Sequence, residues 1–172
     1  MLLDLAKKRR SIRKFTDERV DKATVDEIMK IALLAPSSWG GHPVEFVVVE
    51  DKMTIKRLAQ CKKMGAGPLK DASVAIVVIV DRGNCELWIE DGAVASTYLL
   101  LAAEELGVGA CWIHMRGRDG QVRTAEEEIQ ELLGIPSNYG VLNVVALGHK
   151  GEYKSEHSEK DLPFQNVHSD KF

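Results

Sequence analysis

Two stretches carry residue types that could do chemistry. Arg9-Arg10-Ser11-Ile12-Arg13-Lys14-Phe15 gathers cations and a hydroxyl around two apolar residues. If the chain is extended here, Ser11 and Arg13 fall on one side, near Arg9, because successive strand residues alternate faces. Guanidinium groups suit a phosphate better than an ammonium does, since a planar fork can donate two parallel hydrogen bonds. A solvated basic patch is the other reading of the same residues. The second stretch is Ala35-Pro36-Ser37-Ser38-Trp39-Gly40-Gly41-His42-Pro43. Pro36 must stop a preceding helix, because proline has no N–H and disfavours helix in the residue before it. The paired glycines open backbone shapes closed to other residues. Such a turn can aim N–H groups and hydroxyls at a ligand, or it can be an ordinary helix-to-strand connector.

The elements that must position these stretches follow from periodicity. Residues 2–10 read as a short helix. Thr24-Val25-Asp26-Glu27 has the pattern of a capping box, and Val25, Ile28, Met29, Ala32 and Leu33 keep helical spacing, predicting a helix over 24–35. Val44 to Val49 shows little polar alternation and predicts a strand buried on both faces. Asp51 can cap a helix over 52–64, broken by Gly65-Ala66-Gly67-Pro68. Val74 to Val80 is wholly apolar and mostly β-branched, the expected central strand. A long helix follows over 86–106, apolar nearly all round between Ala93 and Ala103. Its small residues Gly92, Ala95 and Ser96 fit either a dimer interface or a tightly packed core helix. Ala110 to Met115 is a strand, Thr124 caps a helix over 125–133, and Val141 to Leu147 is a fourth strand. Strands interleaved with helices predict one layered α/β or α+β domain spanning 1–172. Residues 148–172 have little regular patterning, and so long a tail needs a surface to lie on, expected to be a partner subunit.

Composition narrows the function classes. The 172 residues are 45% hydrophobic and 28% charged, the make-up of a globular protein with a sizeable core. A net charge of −3 gives no footprint for nucleic acid or a membrane surface. The three cysteines, Cys61, Cys85 and Cys111, lack metal or redox spacing and read as free thiols in a reducing cytoplasm. Leu2, Leu3 and Leu5 are interrupted by Asp4, unlike a signal peptide.

Taken in order, these motifs resemble those of the FMN-dependent nitroreductase family in its short form. The opening Arg9–Phe15 segment is similar to the family's first motif, and the Ala-Pro-Ser-Ser-Trp loop leading into Phe46-Val47-Val48-Val49 to its second. Leu106-Gly107-Val108-Gly109-Ala110-Cys111-Trp112 resembles the third, and Leu133-Gly134-Ile135-Pro136 with Val144-Val145-Ala146-Leu147-Gly148 the usual ending.

The resemblance implies an α+β three-layer sandwich: a mixed, mainly antiparallel sheet flanked by helices, in an intertwined homodimer holding FMN at its interface. It implies that Arg9, Arg10, Ser11 and Arg13 hold the FMN phosphate and ribityl chain. Pro36, Ser37 and Ser38 would line the cofactor from the partner subunit, with His42 where many members carry glutamine. Trp112, Ile113 and His114 would pass the flavin ring, a backbone N–H near His114 or Met115 facing N5. Trp39, Gly40 and Gly41 would border the substrate pocket. Gly40-Gly41 and Tyr98 depart from polar residues common in the family, and Lys150, Lys154 and Lys160 compete as the tail's phosphate ligand.

The implied reaction is ping-pong hydride transfer from NAD(P)H through FMN to an electron-poor acceptor such as a nitroaromatic or quinone. Flavin does the redox chemistry and the protein supplies orientation and electrostatics, so no catalytic residue is strictly required. His114 is the one candidate proton donor; packing beside the ring is its other reading. A flavin-binding or redox-sensing protein without turnover, or another FMN reaction such as dehalogenation or ene-reduction, are the alternatives.

Overall fold

A computed structural model describes residues 1–172. Its helices are α1 (Leu2–Lys8), α2 (Lys22–Leu33), α3 (Lys52–Gln60), α4 (Trp88–Glu105) and α5 (Ala125–Leu133). Its strands are β1 (Val44–Val49), β2 (Val74–Asp81), β3 (Gly109–His114) and β4 (Tyr139–Gly148). The sheet order is β1-β2-β4-β3 and every ladder in it is antiparallel. The one parallel pairing is an isolated bridge from Ser11 to Ala110 at the β3 edge.

Alternation along the strands builds two cores, one on each face of the sheet. Ala75, Val77, Ile79, Ile113, Val144 and Ala146 pack toward α3 and α5 with Ile55, Leu58 and Ile129. Val74, Ile76, Val78, Val145 and Leu147 pack toward α2 and α4 with Ile28, Leu99 and Ala103. The result is the three-layer α+β sandwich, with β2 and β4 central and almost wholly buried.

Several expectations change. Helix α2 begins at Lys22, because Asp21 is the cap: its carboxylate accepts from the Thr24 amide at 3.0 Å and the Thr24 hydroxyl at 2.7 Å. Thr24 therefore lies inside the helix, and no capping box forms there. Helix α3 stops at Gln60, four residues short of the predicted end. Strand β1 is an edge strand with one neighbour, and only Val49 of its residues is buried. The mostly apolar segment from Val44 to Val49, interrupted by Glu45, thus marks a sheet edge in this chain. On α4, Gly92, Ala95 and Ser96 turn inward, and a Cβ on Gly92 would stand 2.9 Å from Leu142 Cδ2. The small-residue side is where the helix meets its own sheet. Helix α5 begins at the expected Thr124–Glu127 capping box and is ended by Gly134 in the left-handed conformation rather than by Pro136.

The tail divides. Residues up to 157 run back along the N-terminal segment: Thr16 N–H donates to the His149 carbonyl at 3.0 Å, Gly151 N–H to Lys14 at 2.9 Å and His157 N–H to Lys7 at 2.9 Å. From Ser155 onward every residue is exposed, including Phe164, Val167 and Phe172. No helix is long and apolar enough to cross a membrane.

Candidate functional site

The basic segment is held by Ile12. Its side chain is buried and its N–H donates to the Ala110 carbonyl at 2.9 Å. This pins the chain extended across the root of β3 and leaves Ser11 and Arg13 on the opposite side from Ile12. The crossing is possible because the surface beneath lacks side chains. A Cβ at Gly148 would meet the Phe15 ring at 2.8 Å, and one at Gly109 would meet Ile12 Cγ2 at 3.0 Å. Neither glycine's role was visible in the sequence.

The cations of this segment differ in what they hold. Arg10 donates to the Ser155 carbonyl, so it ties down the tail. Arg13 donates its backbone N–H to Glu152 Oε1 at 2.6 Å, which holds the Glu152 carboxyl below its ordinary range. Neither Arg9 nor Arg13 forms an ion pair through its guanidinium. Among the tail lysines, Lys154 reaches this segment: its Nζ donates to the Ser11 carbonyl at 2.5 Å and lies 3.3 Å from Glu152. Lys150 pairs with Glu104 instead, at 2.7 Å.

Strand β3 leads away from this cluster. Ile113 and Met115 bury their side chains in the core, so only their backbone could face a ligand. Met115 N–H donates to the Leu142 carbonyl at 3.0 Å. Antiparallel alternation then directs the N–H groups of Trp112 and His114 to the strand's open edge. Of the two amides expected near a flavin N5, only that of His114 is available. The Trp112 and His114 rings are half-buried on the same face, centroids 6.4 Å apart and planes 14° from parallel. Burial and the nearby Arg118, Lys62 and Arg116 charges hold the His114 pKa below the ordinary histidine value.

The loop from Pro36 to Pro43 is organised by a residue that sequence reasoning passed over. Asp91, in the first turn of α4 and 6% exposed, accepts from the Ser38 N–H at 2.9 Å and the Ser38 hydroxyl at 2.5 Å. Cys85 Sγ lies 3.4 Å from the same carboxylate. Ser38 is thereby turned into the protein, with both of its donors engaged by Asp91. The Ser37 hydroxyl oxygen accepts from His42 N–H at 2.9 Å. Trp39, Gly40 and His42 all have positive φ, at 54°, 64° and 47°, so the loop is a tight knot with Trp39 fully exposed at its tip. Between this loop and residues 81–87 lies an open cavity of about 650 Å³, bordered also by Tyr139, whose hydroxyl donates to Glu45 Oε1 at 2.6 Å.

The two clusters lie at opposite corners of the sheet. The loop feeds the start of β1, level with Val80 and Gly140, on one edge. The arginines cross Ala110, level with Leu147, on the other edge. Three strand spacings separate them by about 14 Å across the sheet, and the register by roughly 20 Å along it. Within one chain, Arg9, Ser11, Arg13 and Lys154 lie at the root of β3 with Trp112 and His114 farther along the same strand, while Ser37, Trp39, Gly40, Gly41 and His42 do not join them.

Comparison with known proteins gives this arrangement its context. The Nitroreductase family model matches residues 6–66 and 61–149. An FMN-dependent nitroreductase from Clostridium difficile R20291 has a structure similar to this one over 99% of each chain, with TM-score 0.96 and 43% identity. A protein from Desulfovibrio desulfuricans, given a provisional nitroreductase name and solved in complex with FMN, aligns over 99% of this chain and 97% of its own, with TM-score 0.78 and 26% identity. A relative from Archaeoglobus fulgidus, whose provisional name is NADH dehydrogenase/NAD(P)H nitroreductase, is 34% identical over 157 residues, 89% of this chain and 87% of its own. The ordered motifs, the three-layer fold and these matches agree, and the chain belongs to the Nitroreductase family.

Proposed function

We propose that this protein is an FMN-dependent oxidoreductase that takes a hydride from NAD(P)H and passes it, in ping-pong fashion, to an electron-poor acceptor such as a nitroaromatic or quinone. The observation that carries the reading is the pair of guanidiniums without a carboxylate partner, Arg9 and Arg13, flanking Ser11 at the root of a strand whose open edge presents the His114 N–H. Phosphate demands such cations and donors, and Lys154 adds a third positive group beside Ser11. These residues fit FMN, which when bound supplies the hydride acceptor and donor at N5. The His114 amide, preorganised by the sheet, is the donor for that edge. A depressed pKa leaves the His114 imidazole neutral at neutral pH, which favours packing beside the ring over proton donation.

The reading includes a homodimer. Two half-sites at opposite corners of one sheet are completed if the Pro36–Pro43 loop of one protomer meets the arginines of its partner. The uncovered β1 edge and the exposed Phe164, Val167 and Phe172 support the tail and edge as the surfaces that pair. Ser37, Gly40, Gly41 and His42 would then border the ring from the partner, Ser38 acting through the loop's shape.

Purified protein incubated with FMN and desalted tests this. A retained flavin absorption band that bleaches within the mixing time of an anaerobic stopped-flow run with NADH or NADPH is the expected result. A protein that retains no flavin refutes the reading, and a bound flavin that neither nucleotide reduces leaves a binder instead of an enzyme.

A further inference from the structure

Beyond the end of β3 the chain makes a tight turn. Arg118 N–H donates to the Met115 carbonyl at 3.1 Å, and Gly117 holds φ at 63°. The turn sets Arg116 and Arg118 at the lip of the strand, next to His114. The end of α3 is clipped against the segment that follows: Lys63 N–H donates to the Asp119 carbonyl at 2.9 Å, and Gln121 Nε2 to the Gln60 carbonyl at 2.9 Å. These two bonds bring Lys62 alongside Arg118. Lys62 is half-buried. Arg116 is steadied by the Trp88 ring, its guanidinium carbon 5.8 Å from the ring centroid.

The cluster has three cations and no counter-charge. Lys62, Arg116 and Arg118 form no ion pair. The nearby Glu128 is taken up by the Val122 and Arg123 amides, and Asp119, on the same turn, pairs with none of the three. Burial first, and then Arg118, lowers the Lys62 pKa; burial first, and then the three cations, lowers that of His114. Holding like charges together without a carboxylate is unfavourable unless something negative enters.

We infer that Lys62, Arg116 and Arg118 form a subsite for an anionic group, carboxylate or phosphate, carried by the acceptor or nucleotide that enters the crevice beside His114. The inference deepens the proposed function and rests on its placing the reactive crevice at the open edge of β3. Two sources could bring that group. An aromatic carboxylate acceptor would present it directly on the ring that is reduced. A nucleotide with a ribose phosphate would present it at a distance, and would make the same cations the basis of a preference for NADPH over NADH. Planar guanidinium and compact ammonium together suit either kind of oxygen.

The test uses FMN-saturated protein, with Lys62→Gln, Arg118→Gln and the double variant beside the parent. Isothermal titration compares benzoate with benzamide, two rings of one size that differ in charge. Steady-state assays compare kcat/KM for NADPH with that for NADH. A benzoate preference that falls about fivefold with each single variant, the worth of a partly exposed ion pair, supports the subsite with an acceptor carboxylate as its ligand. A similar fall in the NADPH-to-NADH ratio with the benzoate preference unchanged supports it with the nucleotide phosphate as ligand. Both ratios staying within about twofold of the parent in the double variant overturns the inference. The flavin absorption of the same samples reports separately on the underlying reading: protein that holds no flavin defeats the proposed function, while the benzoate titration still decides the subsite.

Discussion

Replacing Asp91 by alanine should release the Ser37–His42 loop. The carboxylate accepts two hydrogen bonds from Ser38, at 2.9 and 2.5 Å, inside a site where Asp91 is only 6% exposed. Bonds to a charged group contribute about 1.5–3 kcal/mol each, and their loss strands the Ser38 N–H, but removing a buried carboxylate also removes its own desolvation cost. The net loss is about 3 kcal/mol. For a domain of this size that lowers Tm by about 9 °C. Asp91→Asn is the discriminating control, since its amide oxygen can still accept from the Ser38 N–H and its NH2 can donate to the Ser38 hydroxyl, for a loss of about 1 kcal/mol. Thermal and urea melts of the two variants measure the difference, and hydrogen exchange should show the extra opening confined to residues 37–42. An Asp91→Ala protein melting within about 1 °C of the parent would refute the assignment of Asp91 as the loop's anchor.

Other outcomes follow from the same geometry. Gly148→Ala forces the Phe15 ring, 2.8 Å from the new Cβ, to move, which costs about 1–3 kcal/mol and should appear as a lowered Tm. Removing both guanidiniums with Arg9→Ala/Arg13→Ala should weaken FMN binding by about a hundredfold, read from flavin fluorescence titration, while leaving the melt of the flavin-free protein nearly unchanged. His114 has a folded pKa below its ordinary 6.5, so the unfolded chain binds more protons below that value and stability must fall as pH drops through 6.5. His114→Gln should flatten this part of the Tm–pH curve, just below pH 6.5. The three cysteines are buried and burial pushes the Cys61 thiol up to about 11, so iodoacetamide at neutral pH should leave the native protein unlabelled by mass spectrometry.

Which parts of this molecule could be read from its residues has a physical pattern. Periodicity and caps are local, so α5 with its Thr124–Glu127 box and the apolar β2 stand where the sequence puts them. Strand order is not local. A mostly apolar run reads the same in a central strand and in an edge strand, and β1 is the latter in this chain. The alternation that places Ser11 and Arg13 together was legible, because it depends only on extended backbone. That Met115 has no free amide was not, because it depends on which strand lies beside β3. Asp91 was missed for a different reason. In Ile89-Glu90-Asp91-Gly92 it looks like a solvated acid in a helix's first turn, and only the approach of a loop 53 positions earlier makes it an anchor. Likewise Gly109 and Gly148 are defined by what crosses them.

The diagonal placement of the two clusters on one sheet has a consequence for handling the protein. If the proposed homodimer forms and neither corner alone can retain the flavin, cofactor content obeys mass action between protomers. Diluting the sample past the point where pairs separate should bleed colour from it, and excess FMN should push that point to lower concentration. Mixing a chain damaged at the arginines with one damaged at the loop should yield hybrids in which one crevice is intact and the other doubly impaired, so that two colourless preparations turn yellow together.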